Sequence, residues 1–198
     1  MNLLKQHLTA YLCASKDTTR PALMNVKIEP GKLCATDGSI AVKMEFDNDS
    51  AMPADYPTGA ASPTEPVLVP VDAIKAILKG SKATDTFDLL VNVDTRMGYL
   101  VNGGATVSFT LSDERYPDID AVYPQDTDME PDGANYNMTA FNPAYLETIN
   151  KLYKPFGLST YGSAVSVVAR GDCKASSFQW TGNGTAVHVI LMPVRKNT

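Results

Sequence analysis

Apolar residues recur along this chain with two alternating rhythms. In three segments they return every three or four residues, the spacing that places them along one side of a helix. The first segment holds Leu3, Leu4, Leu8, Tyr11 and Leu12. The second, VDAIKAILKGSKA, has Ile74, Ile77 and Leu78 as its stripe, Asp72 as the expected N-cap and Gly80 as the stop. The third, NPAYLETINKLYKP, has Asn142 as cap, Pro143 at the first helical position, and Tyr145, Leu146, Ile149, Leu152 and Tyr153 for burial.

The other rhythm is the alternating or β-branched pattern of antiparallel strands bounded by turn residues. The stretch ALMNVKIEPGKLCATDGSIAVKMEF breaks at Pro30-Gly31 and at Asp37-Gly38, the second a strong hairpin signal. TFDLLVNVDTRMGYLVNGGATVSFTL repeats the plan, with turns near Arg96 to Gly98 and at Asn102-Gly103-Gly104. AVSVVARGDCKASSFQWTGNGTAVHVILMPV repeats it again, turning at Gly171-Asp172 and Asn183-Gly184. The chain thus reads as one unit used three times, a short strand into a helix and then about three strands. Lead-in strands are visible at Val67 to Val69 and, more faintly, at Tyr136 to Phe141, whereas the first unit shows none. The fold class is α+β, three helix-plus-antiparallel-strand modules with the helices on one face of the sheets. A Pro/Ala/Ser/Thr-rich stretch from Ala51 to Pro66 and an acidic one from Gln125 to Ala134 join the units. The acidic linker is the expected boundary between a two-module domain, residues 1–125, and a single module, residues 126–198.

Composition changes this picture little. At 198 residues and 44% hydrophobic the chain can bury a core without staples. Cys13, Cys34 and Cys173 are odd in number and lack metal-ligand spacing, so they read as small core or strand residues in a reducing cytoplasm. Neither a secretory leader nor a membrane-spanning run is expected.

Charge changes it more. The net charge of −5 argues, as a sum, against nucleic acid. The acids, however, gather in linkers, at Glu45, Asp47, Asp49 and Asp55 and in the run Asp126, Asp128, Glu130 and Asp132. The helices are basic: Lys5 and His7 with Lys16 and Arg20 just after, Lys75 and Lys79 with Lys82 beyond, then Lys151 and Lys154. Their acids, Asp72 and Glu147, stand near helix starts, where the macrodipole accommodates them. Taken singly, a surface lysine is a solvated residue. Recurring on three equivalent helices, such lysines suit sequence-independent contacts to the phosphates of duplex DNA.

Candidate chemistry is sparse. His7 and His188 have no nucleophile or carboxylate placed beside them in sequence, and Asn102-Gly103-Gly104 lacks the lysine and helix of a phosphate loop. No metal or cofactor is expected, and the reading is of a protein that is not an enzyme.

Several segments resemble the β subunit of bacterial DNA polymerase III, the bacterial sliding clamp. CASKDTTRPALMNVKIEPGKLCATDGSIAV is similar to that family's Arg-Pro entry into a strand and its Ala-Thr-Asp-Gly turn. VLVPVDAIKAILKG resembles its VP-plus-helix segment, DERYPDIDAVYP its interdomain connector, and FNPAYLETINKL and ILMPVR the start of its last module and its C-terminus. By motif order the chain resembles the middle domain plus half of the last. The family's subunits carry two such modules per domain and close into a ring of twelve modules around DNA, so an equivalent ring would take four copies of this chain. The resemblance implies a processivity factor tethering a polymerase or another replication protein to DNA, with Arg20 facing the duplex. It also implies a pocket for short linear peptides at Thr36, Gly38, Ile40, Ala41, Pro117, Val122, Met192, Pro193, Val194 and Arg195. Ser39-Ile40-Ala41 and Ala121 depart from the family's usual residues, which implies a shallower pocket with altered peptide preference. The alternative is a clamp-like adaptor or competitor that binds such peptides without encircling DNA.

Overall fold

The computed structural model describes residues 1–47, 59–123, 140–157, 165–168 and 175–194. The first module runs β1 (Asn2–Leu4), α1 (Lys5–Leu8), β2 (Asn25–Glu29), β3 (Lys32–Thr36) and β4 (Ile40–Phe46). The second runs β5 (Val67–Pro70), α2 (Val71–Leu78), β6 (Thr86–Asn92), β7 (Met97–Asn102) and β8 (Ala105–Thr110). The third contributes α3 (Pro143–Tyr153), β9 (Ser166–Val168), β10 (Ser176–Gly182) and β11 (Thr185–Leu191).

The lead-in strands are too short to stand alone, and the first two modules exchange them. β1 pairs antiparallel with β6, setting Leu3 against Phe87, and β5 pairs with β2, setting Val69 against Val26. The third module joins the first through β11, which pairs antiparallel with β4 from Thr185↔Phe46 to Leu191↔Ile40. Among the described residues two sheets result, ordered β1-β6-β7-β8 and β5-β2-β3-β4-β11-β10-β9.

Side chains alternate strictly on the larger sheet. Leu33, Ala35, Ile40, Val42, Val189 and Leu191 enter the main core, whereas Cys34, Ala41 and Ile190 point to the other face. The main core draws Leu8 from α1, Ile74 from α2 and Leu152 from α3 into one cluster, so all three modules share it. Each fully buried side chain of this size contributes about 1.5–3 kcal/mol. Cys13 and Cys34 are buried free thiols, and Cys173 lies outside the described residues.

The expected turns fall where Pro30-Gly31, Asp37-Gly38, Asn102-Gly103-Gly104 and Asn183-Gly184 stand. Asn183 adopts φ 48°, a left-handed conformation that asparagine tolerates. The turn expected near Arg96 to Gly98 begins earlier: Gly98 lies inside β7, where a Cβ would meet Phe109 Cζ at 2.3 Å. Asn142 caps α3 as expected, its Oδ1 accepting from Ala144 N at 3.0 Å.

Two expectations are corrected. Leu3 and Leu4 belong to a strand, the lead-in strand missing from the first module's pattern, and α1 spans only Lys5–Leu8 before tightening into a 3-10 turn over Thr9–Cys13. The Thr9 hydroxyl donates back to Gln6 O at 2.6 Å, a local bond that competes with helix continuation. The N-cap of α2 is Pro70, and Asp72 stands within the first turn. The acidic linker with its expected domain boundary, residues 136–139 of the third lead-in strand, and the Gly171-Asp172 turn lie outside the described residues.

Candidate functional site

The helix side of the molecule holds a concavity of about 620 Å³ lined by Lys16, Lys75 and Lys151 together with Tyr11, Leu12 and Met24. Each module supplies one of the three lysines. The segment after α1, the middle of α2 and the last turn of α3 converge because their apolar stripes enter the same core. Lys75 Nζ lies 3.8 Å from Asp72 Oδ1 and 6.0 Å from the centre of the Tyr11 ring, and Lys151 Nζ lies 2.8 Å from Glu147 Oε1. These are exposed pairs worth little individually, so the lysines can exchange them for phosphate at small cost.

Five basic residues named from sequence lie outside that lining. Lys79, Lys82 and Lys154 are exposed on or beside the helices. Lys5 donates from Nζ to Ser81 O at 2.6 Å and so ties α1 to the end of α2. Arg20 Nε donates to Asp17 Oδ2 at 3.0 Å and lines a second groove of about 620 Å³ with Leu23, Lys27, Arg115, Tyr116 and Pro117.

That groove belongs to the opposite face, where the connector from Ser112 to Tyr123 crosses the larger sheet. Ile119 and Tyr123 are buried against Cys34, Ala41 and Ile190. Tyr123 donates its hydroxyl to His188 O at 2.8 Å, and Tyr116 donates to Asn25 O at 3.4 Å. Asp120 is ion-paired with Lys32 and, at 3.3 Å, with Lys43, whose Nζ also lies 4.8 Å from the Tyr123 ring centre. The Lys32 hydrogen bond holds the Asp120 carboxyl below its ordinary range despite partial burial. Burial pushes the Tyr116 and Tyr123 hydroxyls up, so both remain protonated donors.

The peptide-pocket residues named from sequence divide by role. Thr36, Ile40 and Ala41 are buried, and Thr36 shapes the turn by donating to Ile40 O at 2.8 Å and accepting from Gly38 N at 3.0 Å. Gly38 has φ +97°, and a Cβ there would sit 3.0 Å from Arg20 Nη1. Val122, Met192 and Val194 are 56%, 47% and 48% exposed, large apolar side chains left open to solvent. Met192 N donates to Ser39 O at 2.9 Å, bringing the last residues beside the turn, while Val194 N donates to Ala140 O at 2.8 Å. Pro117 is exposed, Pro193 is half-buried, and Arg195 lies outside the described residues.

Sequence reasoning missed the groups that lock these surfaces. Tyr145 on α3 donates to Asp37 Oδ2 at 3.0 Å, while Asp37 Oδ1 accepts from Ser39 N and Ile40 N. Tyr116, Ile119 and Tyr123 recur at three- and four-residue spacing, a signal that one side of the connector faces the protein. At the joint between modules one and three, His7 Nε2 meets Thr185 Oγ1 at 2.9 Å, Gln6 Nε2 donates to the same oxygen at 3.3 Å, and Asn183 Nδ2 donates to Gln6 Oε1 at 2.9 Å. Burial pushes the His7 pKa down to about 4. His7 and Thr185 are 3% and 0% exposed, so the pair is sealed from any substrate. His188 is half-buried beside Tyr123, its pKa lowered by burial and then by Lys43. Among the described residues no three His, Cys, Asp or Glu side chains gather to hold a metal ion, and no helix is long and apolar enough to cross a membrane.

No protein-family model and no curated protein matches the chain. Solved structures do match. The β subunit of DNA polymerase III from Borrelia burgdorferi, in complex with a natural product, aligns with a TM-score of 0.71 at 10% identity, over 100% of this chain and 63% of that one. The corresponding β chain from Streptococcus pneumoniae gives 0.69 at 14% identity, over 99% and 64%. A sliding clamp from Pseudomonas aeruginosa bound to griselimycin gives 0.65 at 14% identity, over 99% and 65%. The chain therefore has the DNA-clamp fold, and it spans between 63% and 65% of the length of these three structures.

Proposed function

We propose that this protein is a sliding-clamp-like processivity factor that lays duplex DNA against its helix side and tethers a polymerase or another replication protein on the opposite face. The observation that carries the reading is the convergence of Lys16, Lys75 and Lys151, one from each module, on a single concavity. Three point charges on flexible stems, with neighbouring Lys79, Lys82 and Lys154 exposed, suit phosphates rather than base edges. Contacts of that kind neutralise charge without fixing register, so the duplex is free to slide. Acidic residues elsewhere on the chain disfavour DNA on other surfaces. The tethered partner docks a short apolar peptide over Val122, Met192 and Val194, and the buried Thr36, Ile40 and Ala41 set the position of that surface.

On this reading residues 1–125 form one clamp-like domain and residues 126–198 half of another. Four copies supply the twelve modules of a ring, and the protein works in the cytoplasm, making and breaking no bond. A second reading is favoured by the ion pairs Lys75–Asp72 and Lys151–Glu147, which reduce the charge that the concavity offers to phosphate. In it the protein is a peptide-binding adaptor or competitor that holds no DNA. Fluorescence anisotropy of a labelled duplex separates the two. The clamp reading requires binding at low salt that is indifferent to sequence and falls steeply as salt rises; no binding at low salt selects the adaptor.

A further inference from the structure

The first two modules complete each other, and the third has no such mate among the described residues. The exchange between the first two is reciprocal: β1 of the first lies beside β6 of the second, and β5 of the second lies beside β2 of the first. In both cases the receiving strand is the first after the module's own helix. In the third module that strand is β9, which has no outer neighbour among the described residues. The larger sheet is thus unequal about its β4–β11 junction, with β3, β2 and β5 beyond β4 but only β10 and β9 beyond β11.

Equivalent positions in the three modules show what a mate does. The fourth residue after the helix N-cap is Leu8 after Leu4, Ile74 after Pro70 and Leu146 after Asn142. Leu8 and Ile74 are fully buried in the main core, whereas Leu146 is 42% exposed. The first strands repeat the contrast. Val26 and Ile28 of β2 and Phe87 and Leu89 of β6 are fully buried. Val167 of β9 stands directly across from Phe178, a residue of the main core, and so shares its face of the sheet, yet it is 53% exposed. Leu146 lies about 200° around α3 from Thr148, which lines the concavity shared with the first module, so it points away from that module. In the sheet below, β9 lies on the same outward side.

We propose that the third modules of two copies of this chain join about a two-fold axis and build one complete clamp domain, each serving the other as the first two modules do. A second copy is the occupant that fits, because the mating of the first two modules is reciprocal: what one module needs, another of the same kind supplies. The outer flank of α3 suits such self-association. Leu146, Asn150 and Tyr153 recur along it at three- and four-residue spacing and carry no charge, so two copies meet there without like-charge repulsion. On joining, Leu146 and Val167 enter a core continuous with Phe178, as Ile74 and Ile28 already do within one chain. The pair holds six modules, half of a twelve-module ring. The proposal deepens the ring reading above and rests on its module count, but the contact needs no DNA.

Sedimentation velocity of the full chain without DNA tests it. The wild type should sediment at twice the chain mass at about 100 µM, where a contact of Kd about 1 µM is nearly saturated. Leu146→Glu and Val167→Lys each place a charge in the joined core, and each should raise the dissociation constant at least about tenfold. Both side chains are exposed in the single chain, so the far-ultraviolet dichroism spectrum should not change. If Val167→Lys fails to fold, Leu146→Glu decides. A tetramer that falls to dimers in the variants supports the same contact. A wild type that stays monomeric, or an oligomer that survives Leu146→Glu, overturns it. A monomer that still binds duplex removes this contact and leaves the helix-side reading standing, whereas a dimer sensitive to these variants but indifferent to duplex does the reverse.

Discussion

The two sides of the larger sheet carry opposite chemistry although they are built from alternate residues of the same strands. Toward the helices, Leu33, Val42 and Val189 enter a deep core shared by three modules, and the surface above it is made of helix residues with exposed lysines. Toward the connector, Cys34, Ala41 and Ile190 form a thin apolar layer covered, among the described residues, by Ile119 and Tyr123 with Tyr116 and Ala175 packed against them, and large apolar side chains beside it stay open. A face covered by helices can present charge because its apolar needs are met underneath. A face covered by one strap is held by a few specific bonds and keeps apolar surface available to another chain.

That difference predicts unequal sensitivity. Tyr123→Ala removes the ring that closes the thin layer and the bond to His188 O, so it should destabilise the protein by about 3–5 kcal/mol in urea unfolding. It should also release the connector, while duplex binding by the surviving folded fraction stays unchanged.

Acid should act next, and through the deep side. In the unfolded chain His7 takes up its proton near the ordinary 6.5, but in the folded protein it does so only near 4. Stability is therefore fully present above about pH 6.5 and falls as pH drops toward 4, by roughly 3 kcal/mol in all. Urea midpoints measured across that window should show this slope, and His7→Gln should flatten most of it.

Thr185→Val keeps the shape of the joint between modules one and three and removes the oxygen that serves both His7 and Gln6. An expected loss of about 1–3 kcal/mol reflects the partners left unsatisfied, and thermal unfolding measures it. Met192→Ala should sit at the other end of the scale. Its half-exposed side chain contributes little to folding, with a change within about 0.5 kcal/mol, yet binding of an apolar replication peptide should weaken several-fold by calorimetry.

Much of the fold was legible because turn chemistry is local. Asp37-Gly38 and Asn183-Gly184 set hairpins by their own conformational preferences, and Asn142-Pro143 started α3 where a cap and a missing N–H belong. β1 was hidden for the opposite reason. Three residues carry no period of their own, Leu3 and Leu4 fit a helix that also holds Leu8, and their partner strand lies far along the chain, with Asn2 bonded to Asp88. The site divides in the same way. The recurrence of lysines on three helices could be read, and the structure brings Lys16, Lys75 and Lys151 together. Lys5 and Arg20 resemble the others in sequence, but their hydrogen-bond partners, Ser81 O and Asp17, give them other positions. The exchange of lead-in strands and the union of β4 with β11 depend on long-range pairing that no single segment encodes.

The central claim is that the helix side holds duplex DNA through one lysine from each module. Its most direct test is the dependence of duplex affinity on salt for the wild type and for the triple variant Lys16→Ala, Lys75→Ala and Lys151→Ala, both measured by anisotropy. If all three lysines meet phosphates, the slope of log affinity against log salt becomes shallower by about 2.7, near 0.9 for each phosphate no longer neutralised. A triple variant that keeps the wild-type slope and affinity would contradict the account.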